Sequence, residues 1–242
     1  MNSYEKKAIH EFKLWKIKMT KRPSLTGRMT KPIQTKVNSL IPDVLHNTIT
    51  FGVKNMVKAV LYGSDFITKK SSLKFSTLEE REKLVDEKLD FYKRTAATTG
   101  AGTGAGGILL GLADFPILLG LKIKFLFDVA VIYGYDVNDF QERLYILYLF
   151  ELAFSSQERR IEVFNVISNW NKALNNCPPT METFDWRSFQ QEYRDYIDLA
   201  KLLQLVPGIG AVVGALANYK LMDKLGRTAK NGYRMRLFNS EE

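Results

Sequence analysis

Apolar residues recurring at spacings of three and four along nearly the whole chain predict an all-α protein. Two capping boxes mark helix starts, and no alternating apolar and polar run bounded by turn residues argues for a sheet. Two glycine-dense apolar stretches refine the class to a single multi-helix bundle with two glycine-rich helices packed centrally. They are GAGTGAGGILLGLADFPILLGL from Gly100 to Leu121 and LVPGIGAVVGAL from Leu205 to Leu216. Glycine costs a water-exposed helix roughly 0.8–1 kcal/mol per residue relative to alanine, so close backbone packing or a lipid setting must offset it.

Tyr4, Ala8, Phe12, Trp15 and Met19 fall on one stripe of an opening helix that Pro23 closes. Lysines occupy its other sides. Residues 1–41 hold ten Lys or Arg against two Glu, nearly all of the chain's excess of +9. The chain therefore reads as a basic amphipathic segment, 1–41, followed by a helical domain, 42–242. Lys6, Lys7, Lys13, Lys16, Lys18, Lys21 and Arg22 are the candidates for attraction to an anionic membrane surface. A solvated lysine face is the plainer alternative.

Ser24 suits the start of a second helix that Pro32 interrupts, and Pro42–Asp43 opens a third carrying Leu45, Ile49, Val53, Met56 and Val60. After a loop at Ser71–Ser72, Thr77 and Glu80 form a capping box ahead of Leu78, Val85, Leu89 and Tyr92. The glycine-rich stretch, the chain from Phe115 to Tyr133 and a helix from about Asn138 follow. Ser155 with Glu158 repeats the box before Ile161, Phe164, Ile167 and Trp170, and the clearest linker is Asn175 to Thr180. Trp186, Phe189, Tyr193, Tyr196, Ala200 and Leu203 make another stripe, ended by Pro207 and Gly208. A final helix runs on, with Gly226 a plausible stop.

A single Cys177 excludes an internal disulfide and a cysteine-based zinc cluster, and His10 and His46 leave little for a metal site. No apolar core of a secretory signal occupies the first twenty residues, so a cytoplasmic location, peripheral to the membrane, is expected. Gly102, Gly104 and Gly107 spell G-x-G-x-x-G without the preceding strand that a dinucleotide site needs, and no cofactor is expected. Phe12 and Trp15 lie on the core stripe rather than among the lysines, which argues against nucleic acid.

The same glycines sit four apart, Gly100 with Gly104, Gly107 with Gly111, and Gly210 with Gly214, a spacing that clears one helix face for a neighbouring backbone or for lipid. Gly208 belongs to the same group. Asp114 and Pro116 break the longer stretch, so a stable single span is not expected, while partial insertion stays open. Asp114 is the one weak catalytic candidate, because burial would raise its carboxyl pKa; its position before Phe115 and Pro116 also suits a helix cap. Asp136, Asp139 and Glu142 look like a cation cluster, but at a helix start they favour the macrodipole.

The carboxyl-terminal run from Tyr196 to Phe238 carries P-G-x-G-A-x-x-G-A, Asn218–Tyr219, Leu225–Gly226, Thr228–Ala229 and Arg234-Met235-Arg236. With the central glycines, Asp114 and Pro116, Tyr133-Gly134-Tyr135-Asp136, Trp15 and Ile41–Pro42, it resembles the EcsC family over essentially the whole chain. The resemblance implies an ABC-transporter and protein-secretion setting, and assigns no catalytic residue. Asp114, Pro116, Asn218, Arg234 and Arg236 are motif positions without assigned roles. The resulting expectation is a non-catalytic accessory protein at the membrane face, partnered by an ABC transporter or anionic lipid. A lipid or peptide hydrolase and a bundle enclosing a hydrophobic ligand are the alternatives.

Overall fold

The structure, a computed structural model, describes residues 2–21, 43–62, 77–104, 115–174, 189, 191–193 and 210–239. Its elements are α1 (Ser3–Thr20), α2 (Asp43–Tyr62), α3 (Leu78–Gly104), α4 (Phe115–Tyr133), α5 (Phe140–Phe154), α6 (Gln157–Ser168), the short α7 (Trp170–Ala173) and α8 (Gly210–Asn239). Among the described residues there is no strand, so the fold is all-α. No described helix is long and apolar enough to cross a membrane.

Local chemistry sets the helix starts. Asn2 caps α1 and forms a capping box with Glu5, each side chain bonded to the other's backbone N–H at 2.8 Å. The box predicted at Thr77 and Glu80 is present, with both bonds made. The one predicted at Ser155 moves by a residue: Ser156 caps α6 by accepting from the Arg159 N–H. Glu192, far along the chain, accepts from the Ser156 N–H at 2.7 Å and takes the part assigned to Glu158. Between α4 and α5, Gly134 has φ +94°, while its N–H bonds Val131 O and the next N–H, of Tyr135, bonds Ala130 O. This is a Schellman ending, which needs the left-handed residue that glycine supplies.

The long helices α3 and α8 pack antiparallel and make the most extensive helix pair. Glu82 meets Arg234, Asp86 meets Lys230, Leu89 lies against Gly226 and Lys93 meets Asp223. Each step of three or four residues along α3 is matched by one back along α8. Extended at that register, Gly100–Gly104 come level with the first turns of α8, where Gly210 and Gly214 lie. α4 runs antiparallel to α3 on another side, tied by Tyr92 to Asp128 and by Tyr133 to Glu82. The most enclosed helix is α5, buried on nearly every side, including Glu142, Arg143 and Glu151. Phe189 and Tyr193 close over its Phe150.

The stripe predicted for α1 holds: Ala8, Phe12 and Met19 are buried, with Trp15 packed against the core. Phe12 meets Phe238 of α8 edge-on at 5.7 Å and Trp15 meets Phe164 of α6 at 5.6 Å. Burying Phe12 and Met19 contributes on the order of 3–6 kcal/mol before ordering costs.

Candidate functional site

Where α1, α3, α4 and α8 meet, one carboxylate collects four hydrogen bonds. Glu82 is fully buried on α3 and takes the Arg234 Nε on Oε1 at 2.6 Å and Nη2 on Oε2 at 2.5 Å. Tyr4 of α1 donates to Oε2 at 2.7 Å and Tyr133 of α4 to Oε1 at 3.1 Å. The Arg234 Nη1 reaches Glu11 of α1 at 3.0 Å. Burial pushes the Glu82 carboxyl up, but the Arg234 guanidinium and the Tyr4 hydroxyl outweigh it and hold it below its ordinary value. The Tyr133 hydroxyl is pushed well up, first by burial and then by the Glu82 charge.

A second centre adjoins the first through the stacked rings of Tyr133 and Tyr233, 5.1 Å apart. Glu142 accepts from the Tyr233 hydroxyl at 2.6 Å and from Arg236 Nη1 at 2.5 Å. The Arg236 guanidinium lies 3.7 Å from the Tyr135 ring centre and 4.6 Å from that of Tyr145. Here burial prevails over Arg236, and the Glu142 carboxyl is raised. Asp139 is the α5 N-cap and Asp136 accepts from the Asn138 N–H in the preceding turn, so the acidic trio divides into one helix cap, one turn residue and one buried partner of arginine. Among the described residues no group of three His, Cys, Asp or Glu could hold a metal.

Both centres act as clamps, and the Glu82 centre is poorly suited to proton transfer. One carboxylate is bonded through both oxygens and held low, the phenols are pushed away from neutrality, and guanidinium does not titrate. Their effect is to bind α1, α4 and α5 to the α3–α8 pair. Arg234 and Arg236, motif positions without a role in sequence, thus acquire one, and Tyr133 and Tyr135 are explained with them. Asn218 is buried on α8.

Residues 6–238 match the EcsC protein family. The chain belongs to the EcsC family. Protein EcsC of Bacillus subtilis (strain 168) is 47% identical over 223 residues, 92% of this chain and 92% of that protein. The uncharacterized protein YdbA of the same strain is 33% identical over 145 residues, 59% of this chain and 53% of its own length. No solved structure matches the chain. In this EcsC-family chain, Arg234 and Arg236 fall inside the matched span together with Glu82 and Glu142.

The remaining sequence candidates separate by place. Lys6, Lys7, Lys13, Lys16 and Lys18 are all exposed on α1, as is Lys21 at its C-cap. Leu14 and Ile17, which sequence reasoning passed over, are more than half exposed among them. Gly100 and Gly104 lie in the last turns of α3, Gly210 and Gly214 in the first turns of α8, and Pro116 is exposed at the start of α4. Arg22, Gly107, Gly111, Asp114 and Gly208 lie outside the described residues.

Proposed function

We propose that the protein is a non-catalytic accessory that works at the surface of a membrane, drawn there by α1. The observation that supports this reading is the outward face of α1, where five exposed lysines, with Lys21 at the C-cap, surround exposed Leu14 and Ile17 while the opposite stripe is spent on the core. A basic helix with a few apolar side chains outward is attracted to anionic lipid, by about 1 kcal/mol per lysine close to the surface. The clamp through Glu82 and Arg234 holds that face in a fixed orientation instead of leaving it on a loose arm. The EcsC-family setting adds an ABC transporter as partner and the inner face of the cell membrane as location.

Liposome flotation tests this reading. The protein should rise with vesicles containing phosphatidylglycerol at low salt and should do so less as salt increases. Protein that stays at the bottom with both anionic and neutral vesicles would end the proposal.

A further inference from the structure

Three helices finish at one end of the bundle without a charge among them. From Thr95 to Gly104 at the end of α3, from Phe115 to Leu121 at the start of α4 and from Gly210 to Tyr219 at the start of α8, no Asp, Glu, Lys or Arg occurs. Antiparallel packing brings the three stretches together. Glu82 joins Tyr133 and Arg234 at the far end, and Tyr92 and Lys93 join Asp128 and Asp223 midway. Ile117, Val212 and Leu216 are each more than half exposed at the charge-free end. In the adjoining sequence, residues 105–114 and 202–209 contain Asp114 as their only charge.

The margin of this end is basic on every helix. The first charged residue met on moving inward is Arg94 on α3, Lys122 on α4 and Lys220 on α8. Arg94 and Lys220 are exposed, while Lys122 turns inward to donate to Leu118 O. Beside Arg94, the Lys93 ammonium sits 4.9 Å over the ring of Tyr219. Ile117 precedes Lys122 by roughly 7.5 Å of helix rise and Val212 precedes Lys220 by roughly 12 Å. Those spans compare with the depth of about 5–10 Å at which apolar faces enter the boundary of headgroups and acyl chains.

We propose that this end inserts into the headgroup and upper acyl region of an anionic bilayer, with Ile117, Val212 and Leu216 in the apolar layer and Arg94 and Lys220 among the phosphates. The inference rests on the membrane association argued above and gives it a depth and an orientation. Two copies meeting end to end would set basic margin against basic margin, whereas anionic headgroups complement it. The side of α8 involved is also the one that α1 occupies further along. The exposed positions Val212, Leu216, Lys220 and Arg227 continue at helical spacing to Arg234 and Phe238, which Glu11 and Phe12 cover. Tilted, the bundle offers both the lysines of α1 and the charge-free end to one surface.

The test uses the full chain with Cys177→Ser and an environment-sensitive NBD label at Val212→Cys, at Ile117→Cys or, as reference, at exposed Lys83→Cys. With phosphatidylcholine–phosphatidylglycerol vesicles, the first two labels should shift to the blue and be quenched by lipid brominated high on the acyl chain; the third should keep its aqueous emission. Val212→Asp combined with Leu216→Asp changes only exposed positions and should weaken partitioning at least about tenfold. Lys13→Glu with Lys16→Glu should lower the bound fraction while leaving the emission of bound protein blue-shifted. Labels at 212 and 117 that stay aqueous on protein that floats would overturn insertion and leave the α1 reading standing. A blue shift without vesicles, at a dimer mass by light scattering, would overturn it in favour of self-association. Absence of flotation with any vesicle would remove both proposals.

Discussion

Arg234 and Glu82 face each other through two parallel hydrogen bonds, 2.5 and 2.6 Å long, with both side chains buried where α1 crosses the α3–α8 pair. Neither would be tolerable there alone. Each charge has lost its water, and the forked geometry together with Tyr4, Tyr133 and Glu11 replaces it.

Removing one partner is therefore the costly change. Arg234→Met should lower the free energy of unfolding by about 3–5 kcal/mol in urea titrations, and Arg234→Met with Glu82→Gln by clearly less, because no uncompensated carboxylate is left. The same pair sets an acid limb. Since the Glu82 pKa is depressed on folding, its stabilisation is fully present above the ordinary 4.5 and is lost as pH falls through the lower folded value. Denaturation of Glu82→Gln followed below pH 4.5 should show a flatter dependence than the parent; an identical slope would refute this assignment.

Lys224 acts in the opposite sense. Burial, with the charges of Arg160 and Lys18, pushes its amine down to about 7 from 10.5. The unfolded chain then binds more protons than the native one between those two values, so stability rises with pH across the interval and the full penalty applies below it. Lys224→Met should raise the melting temperature near neutral pH, and the gain should shrink as the pH approaches 10.5. A gain independent of pH would mean that packing, and not charge, is responsible.

Glycines in these helices do different jobs. A Cβ at Gly226 would collide with the branched end of Leu89, coming within 2.6 Å of Cδ1, and one at Gly232 would overlap Leu149. At Gly120 it would meet nothing within 4 Å. Gly226→Ala should destabilise by about 1–3 kcal/mol through overpacking, relieved in part by Leu89→Val, whereas Gly120→Ala should stabilise by about 0.5–1 kcal/mol through helix propensity. Thermal melts of the three variants check both signs.

What the sequence discloses is whatever depends on near neighbours. The stripe of α1 and the box at Thr77 and Glu80 were legible because their partners lie within a turn or two. The α6 cap slipped by one residue because Glu192 comes from elsewhere in the chain to bond the Ser156 N–H. Arg234 and Arg236 stood out as motif letters, yet their partners are 152 and 94 positions away, a separation that no helical period encodes. One sign was available. The stripe Leu78, Val85, Leu89 and Tyr92 has a vacant step, and the residue on it is Glu82. A carboxylate on an apolar face asks for a buried cation, and the motif arginines were the ones to try.

The contact between Glu11 and Arg234 spans 223 positions, so the first described helix to be synthesised is locked by the last. At about 5–20 residues per second, α1 leaves the ribosome some ten to forty-five seconds before the strand of sequence that will clamp it. Through that interval Phe12 has no Phe238 of α8 to meet, and for most of it Trp15 has no Phe164 of α6, although the lysines around them are already in place. A nascent chain in this state carries a basic amphipathic segment whose apolar stripe has no partner until the later helices are made. The order of translation thereby defers the clamp on α1 until the far end of the chain has been made.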